Sequence, residues 1–162
     1  MNAVPVTPQV TEYLYRKATA AGTPLSGTFE LTPLCNMRCK MCYVRLTQQQ
    51  QQAAGPLKTP QQWLELGKKP ADAGMLYLLL TGGEPFSYPG FRQVYEGLHR
   101  MGLLITINSN GTLIDEATVA WLKECPPVRI NISLYGCDDA TYLSLCGEPE
   151  GFTSTDRAIR LL

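Results

Sequence analysis

Four short strand-like segments, each followed by a stretch with helical signals, limit this chain more than any other feature. The segments are residues 28–32, 75–81, 103–108 and 128–134. The second, MLYLLLT, is continuously apolar and ends in Gly82-Gly83, as a buried parallel strand does. Thr59-Pro60-Gln61-Gln62 reads as a helix start, with Thr59 as cap, Pro60 at the first helical position and Gln62 completing a capping box. That helix runs toward Gly74, and Pro70 inside it predicts a kink or break near Lys69. Residues 90–101 read as a helix ending at Gly102, and Asp115 caps another through about Glu124, stopped by Pro126-Pro127. A helical turn over 140–145 and a helix from Thr153 to the last residue complete the pattern. Alternation with short connections predicts an α/β fold built on a parallel sheet with right-handed crossovers.

Residues 1–25 read as an irregular or short-helical N-terminal segment, with prolines at 5, 8 and 24 and a possible helix in TEYLYRKATA; residues 26–162 read as the core domain. Residues 47–56, with five consecutive glutamines from Gln48, read as a surface loop. A 44% apolar share in 162 residues suffices for one hydrophobic core. Fourteen basic against 14 acidic residues give no sign of a nucleic-acid or membrane-surface partner. No apolar run is long enough to span a membrane, and MNAVPVTPQV lacks the parts of a signal peptide. A cytoplasmic protein follows, in which six cysteines are more often metal ligands or reactive thiols than disulfides. The length falls short of a closed α/β barrel of about 200 residues or more.

Three of the four strands carry polar residues at every second position: Thr28, Glu30, Thr32; Thr106, Asn108, Asn110; Arg129, Asn131, Ser133. Period-2 geometry puts each set on one face. Such a face is either solvated or the polar interior of a barrel-like sheet that holds a polar ligand.

The most specific chemical signal is Cys35-Asn-Met-Arg-Cys39-Lys-Met-Cys42, directly after the first strand. Three thiolates spaced CxxxCxxC suit an iron-sulfur cluster with one iron left without a protein ligand, whereas tetrahedral zinc calls for a fourth. His99, the only histidine, lies on a predicted helix far along the chain; Cys125, Cys137 and Cys146 are available in principle.

The triplet resembles the cluster-binding motif of the radical S-adenosylmethionine (SAM) superfamily. Other stretches agree with that family in order: Thr81-Gly82-Gly83-Glu84-Pro85 with its GGEP motif, Asn108-Ser109-Asn110-Gly111 with its polar third-strand end, and Ile132-Ser133-Leu134 with its fourth-strand serine. Residues 146–152 resemble the stretch before the fourth helix in members with a SPASM or twitch extension, among them peptide-modifying maturases. The resemblance implies that Cys35, Cys39 and Cys42 hold a [4Fe-4S] cluster whose fourth iron binds the methionine part of SAM. It also implies that Gly82, Gly83 and Glu84 receive the SAM amino group, that Asn108, Ser109 and Asn110 lie beside the ligand, and that Ser133 bonds its ribose. Met41 stands where the family often has an aromatic residue, and Tyr43 follows; one of the two is expected near adenine. Arg157 is expected either near the SAM carboxylate or in solvent.

The implied reaction is reductive cleavage of SAM to methionine and a 5′-deoxyadenosyl radical, which takes hydrogen from a peptide or small-molecule substrate. The electron comes from an external flavodoxin- or ferredoxin-like donor. The implied fold is a partial (β/α) barrel of six units, of which four are counted here, so the sequence is expected to be the N-terminal two-thirds of a catalytic core. An inactive fragment of such an enzyme and a zinc- or thiol-rich binding domain are the alternatives.

Overall fold

The computed structural model describes residues 10–162; Pro5 and Pro8 lie outside the described residues. A helix, α1 (Val10–Ala21), precedes strand β1 (Ser26–Glu30). There follow α2 (Gln48–Ala54), α3 (Pro60–Asp72), β2 (Tyr77–Thr81), a 3-10 turn (Pro85–Ser87), α4 (Phe91–Arg100) and β3 (Leu104–Ser109). The remainder is α5 (Glu116–Glu124), β4 (Arg129–Ile132), α6 (Asp139–Cys146) and α7 (Gly151–Leu161). The strands form one open sheet, wholly parallel as the alternation predicts, in the order β1-β2-β3-β4.

One face of the sheet is the core. Leu78 and Leu80 of β2 and Ile105 and Ile107 of β3 are fully buried there against Trp63 of α3 and Phe91, Val94, Tyr95 and Leu98 of α4. Helix α4 contributes most because its apolar residues recur at i, i+3, i+4 and i+7. Tyr95 meets Trp121 of α5 edge-on at 5.2 Å and donates its hydroxyl to the Cys125 carbonyl at 2.7 Å, so its one polar atom is satisfied. His99 lies on α4 stacked against Tyr95, away from the polar sheet face.

The opposite face is uncovered among the described residues. The register aligns Thr28, Leu79, Thr106 and Arg129 in one row across all four strands, and Asn131 beside Asn108. Asn131 donates its amide to Asn108 at 2.8 Å. Glu30 and Arg129 are exposed on this face.

Two local expectations fail for identifiable reasons. The glutamine run is a helix rather than a loop. Thr47 accepts from the Gln50 N–H and the Gln50 side chain accepts from the Thr47 N–H, which is the same reciprocal cap that starts α3. Helix α3 also passes Lys69 unbroken to Asp72. Pro70 falls in the last turn, where its missing N–H forfeits one bond beside the exposed Leu66.

Candidate functional site

The carboxyl ends of the four strands converge on a cavity of about 260 Å³. Its walls include Cys35, Cys39, Cys42 and Tyr43 from the loop after β1, and Thr81, Gly82 and Gly83 from the end of β2. Asn108, Ser109 and Asn110 from β3 and Ser133 and Tyr135 beyond β4 close the other side. Parallel sheets place ligands at this end. Of the positions the resemblance assigns to the cluster or to SAM, all but Glu84 and Arg157 line the cavity.

Local geometry explains how the cysteine loop is held. Met37, at its centre, is fully buried with Tyr142 and Cys146 of α6. On either side of Cys39, the Arg38 N–H donates to the Cys146 carbonyl at 2.7 Å and the Lys40 N–H to the Leu145 carbonyl at 2.8 Å. The loop is thus pinned to the C-terminal turn of α6, whose last carbonyls otherwise lack partners. Asp138 caps the other end of that helix through the Thr141 N–H at 2.7 Å, and Gly147 closes it in the left-handed conformation.

All six cysteines are free thiols. Cys35 Sγ accepts from the Met37 N–H at 3.4 Å, and Cys42 Sγ from the Arg45 N–H at 3.3 Å. Burial pushes the Cys35 thiol up, against the lowering effect of that N–H. Burial and the neighbouring Cys146 thiol push Cys39 up to about 12, so without a cation beside it this sulfur keeps its proton. No three His, Cys, Asp or Glu side chains among the described residues meet at a point fit for one metal ion. The three sulfurs surround a volume instead.

The two glycines set how closely the loops after β1 and β2 approach. The Gly83 N–H donates to the Thr32 carbonyl at 2.6 Å and the Glu84 N–H to the Leu34 carbonyl at 3.0 Å. A β-carbon at Gly82 would collide with Thr32, and one at Gly83 with Leu34. Gly82 also has φ +153, a region that side chains disfavour.

Glu84 lies under the cavity wall with no exposed surface. One carboxylate oxygen accepts from the Ser109 hydroxyl at 2.8 Å and the Phe86 N–H at 3.1 Å, and the other from the Asn110 N–H at 2.8 Å. Burial raises its carboxyl above the usual range, with these three donors opposing the shift. The side chain therefore braces the end of β3 to the end of β2. Tyr43 is almost entirely exposed on the cavity rim and Met41 half-exposed beside it, whereas Arg157 is exposed near Asp115 and lines no part of the cavity. Sequence reading missed Met37, Asn36, Thr112 and Tyr135. Met37 and Asn36 sit inside the cysteine motif and Thr112 just after Asn110-Gly111, so position within a motif was the available signal.

A sequence profile of the radical SAM superfamily matches residues 29–162. The antilisterial bacteriocin subtilosin biosynthesis protein AlbA of Bacillus subtilis (strain 168) is 30% identical over 144 residues, covering 86% of this chain and 30% of AlbA. The sporulation killing factor maturation protein SkfB of the same strain is 28% identical over 139 residues, covering 86% of this chain and 33% of SkfB. The chain thus spans about a third of the length of these relatives. Among solved structures, Streptococcus suis SuiB bound to precursor peptide SuiA superposes with a TM-score of 0.67 at 23% identity, over 99% of this chain and 36% of SuiB. Its fold is the one described above, and no helix among the described residues is long and apolar enough to cross a membrane. The profile match, the AlbA likeness and the strand-end cavity agree that the chain belongs to the radical SAM superfamily of enzymes.

Proposed function

We propose that the cavity binds SAM against a [4Fe-4S] cluster held by Cys35, Cys39 and Cys42, and that the full enzyme abstracts hydrogen from a peptide. The observation that carries this is that three free thiols and the glycine-lined ends of β2 and β3 share one cavity. The donor set fits the cluster: three sulfurs around a volume, two of them already receiving N–H bonds of the kind that stabilise thiolate ligands. When bound, the cluster and SAM together supply one-electron cleavage of SAM and a 5′-deoxyadenosyl radical.

The chain's own residues position and shield. Gly82 and Gly83 bring backbone carbonyls to the methionine amino group without side-chain interference. Glu84 supports that contact from beneath, through Ser109 and Asn110. In this reading the Ser133 hydroxyl, which lines the cavity, bonds the ribose, and one of Met41 and Tyr43 on the rim packs near the adenine. The polar rows of the open sheet face suit a substrate rich in amide groups, and the relatives named as a bacteriocin biosynthesis protein and a maturation protein support a peptide. An external flavodoxin- or ferredoxin-like protein supplies the electron. Six free thiols suit a reducing compartment such as the cytoplasm.

Anaerobic reconstitution with iron and sulfide tests this reading. The expected result is a thiolate-to-iron absorption band and, with dithionite and SAM, release of methionine and 5′-deoxyadenosine. A folded protein that takes up zinc in place of iron and shows no such band overturns it.

A further inference from the structure

A closed ring of hydrogen bonds joins the cysteine loop to the end of β3. The Asn110 amide donates to Asn36 Oδ1 at 2.9 Å, the Asn36 amide to Thr112 Oγ1 at 2.8 Å, and the Thr112 hydroxyl back to Asn110 Oδ1 at 2.7 Å. Every donor points the same way round, so each bond polarises the next. The Asn110 amide also lies 3.7 Å from Cys35 Sγ, a donor distance suited to sulfur.

Asn110 has no freedom left. Its N–H is held by Glu84 at 2.8 Å and its carbonyl by the Thr155 hydroxyl at 3.1 Å. Its side-chain oxygen accepts from the Thr112 N–H at 2.9 Å as well as from the hydroxyl. Only 7% of its surface is exposed. Five hydrogen bonds to four residues therefore hold Asn110, with its side-chain amide nitrogen within donor distance of the sulfur. Such fixation is more than a strand end needs, since the Glu84 carboxylate alone already secures the backbone.

We infer that Asn110 is a positioning residue for the cluster, holding Cys35 and tuning the iron through an amide-to-sulfur hydrogen bond. The inference rests on the cluster reading above and adds a residue to it. Donors to ligand sulfur stabilise the reduced cluster because reduction places more negative charge on sulfur. Asn36 and Thr112 fix which amide hydrogen is presented.

The test is a redox titration of the reconstituted wild-type protein, Asn110→Ala and Thr112→Val, followed by electron paramagnetic resonance, with iron content measured on each. Gln61→Ala, exposed on α3 and lining no part of the cavity, is the control. The expected result is wild-type iron content in all four, with a potential shifted to more negative values in Asn110→Ala. A smaller shift in the same direction is expected in Thr112→Val, which keeps the amide but loosens its aim, and none in Gln61→Ala. Should Asn110→Ala fail to fold, the sign of the Thr112→Val shift decides alone. Unchanged potentials in a folded, fully loaded variant overturn the inference while leaving the cluster reading intact. Failure of the wild type to take up a cluster overturns both.

Discussion

Glu84 occupies surroundings that a carboxylate tolerates only with partners, and those partners are the residues that shape the cavity wall. Replacing it with alanine orphans the Ser109 hydroxyl and the Asn110 N–H, at about 1–3 kcal/mol each, so a loss of roughly 2–6 kcal/mol in denaturant unfolding is expected. Its titration has a definite sign. An unfolded glutamate titrates near about 4.3, and burial sets the folded value higher. The folded state thus keeps its proton longer, and the contribution of this group is full below the unfolded value and falls as pH rises through the folded one. The stability difference between wild type and Glu84→Gln, measured by denaturant titration from pH 4 to pH 8, should shrink with rising pH; a constant or growing difference contradicts this. Met37 makes the second residue-scale case. Truncation to alanine removes the apolar plug between the cysteine loop and α6, with an expected loss of about 2–5 kcal/mol in thermal or chemical melts. The cysteine spacing and the Gly-Gly pair were legible in sequence because they are local. The bracing role of Glu84 was not, because its partners lie 25 and 26 positions away, on another strand.

Among the elements, the sheet was legible and two helices were misread. Parallel pairing followed from the alternation, since short connections in one sheet favour right-handed crossovers, whereas the order β1-β2-β3-β4 is seen only in the structure. The glutamine helix α2 was misread because composition outweighed its cap, although Thr47 and Gln50 repeat the pattern recognised at Thr59 and Gln62. That helix buries no residue, so its stability is local. Thr47→Ala should abolish hydrogen-exchange protection over Gln48–Ala54 while leaving the global melting temperature unchanged; a drop of several degrees contradicts its independence. At the turn after β2, Gly83→Ala should push the two strand-end loops apart and cost about 1–3 kcal/mol, read as a lowered denaturation midpoint, with weakened iron uptake.

For the molecule as a whole, the alternation of polar and apolar residues within single strands foretold a sheet with one core face and one open face. The register shows why both readings of that alternation contain some truth: the polar rows are exposed along the strands, yet at their carboxyl ends Thr32 and Asn110 turn inward and are buried. Charge balance has a consequence at this scale too. With formal charge zero and a pI near 6.6, solubility should pass through a minimum near pH 6.6 and rise toward pH 8, as turbidity at fixed concentration would record. The seat of the cysteine loop has another consequence. Arg38 and Lys40 bond to Cys146 and Leu145, roughly a hundred positions later in the chain. At a ribosome adding about 5–20 residues per second, the motif therefore emerges on the order of 5–20 s before the helix it rests on. During that interval the three sulfurs are unseated and open to stray metal ions and oxidants, and on the proposed reading the loading of a cluster would have to wait for α6 or be guarded until it arrives.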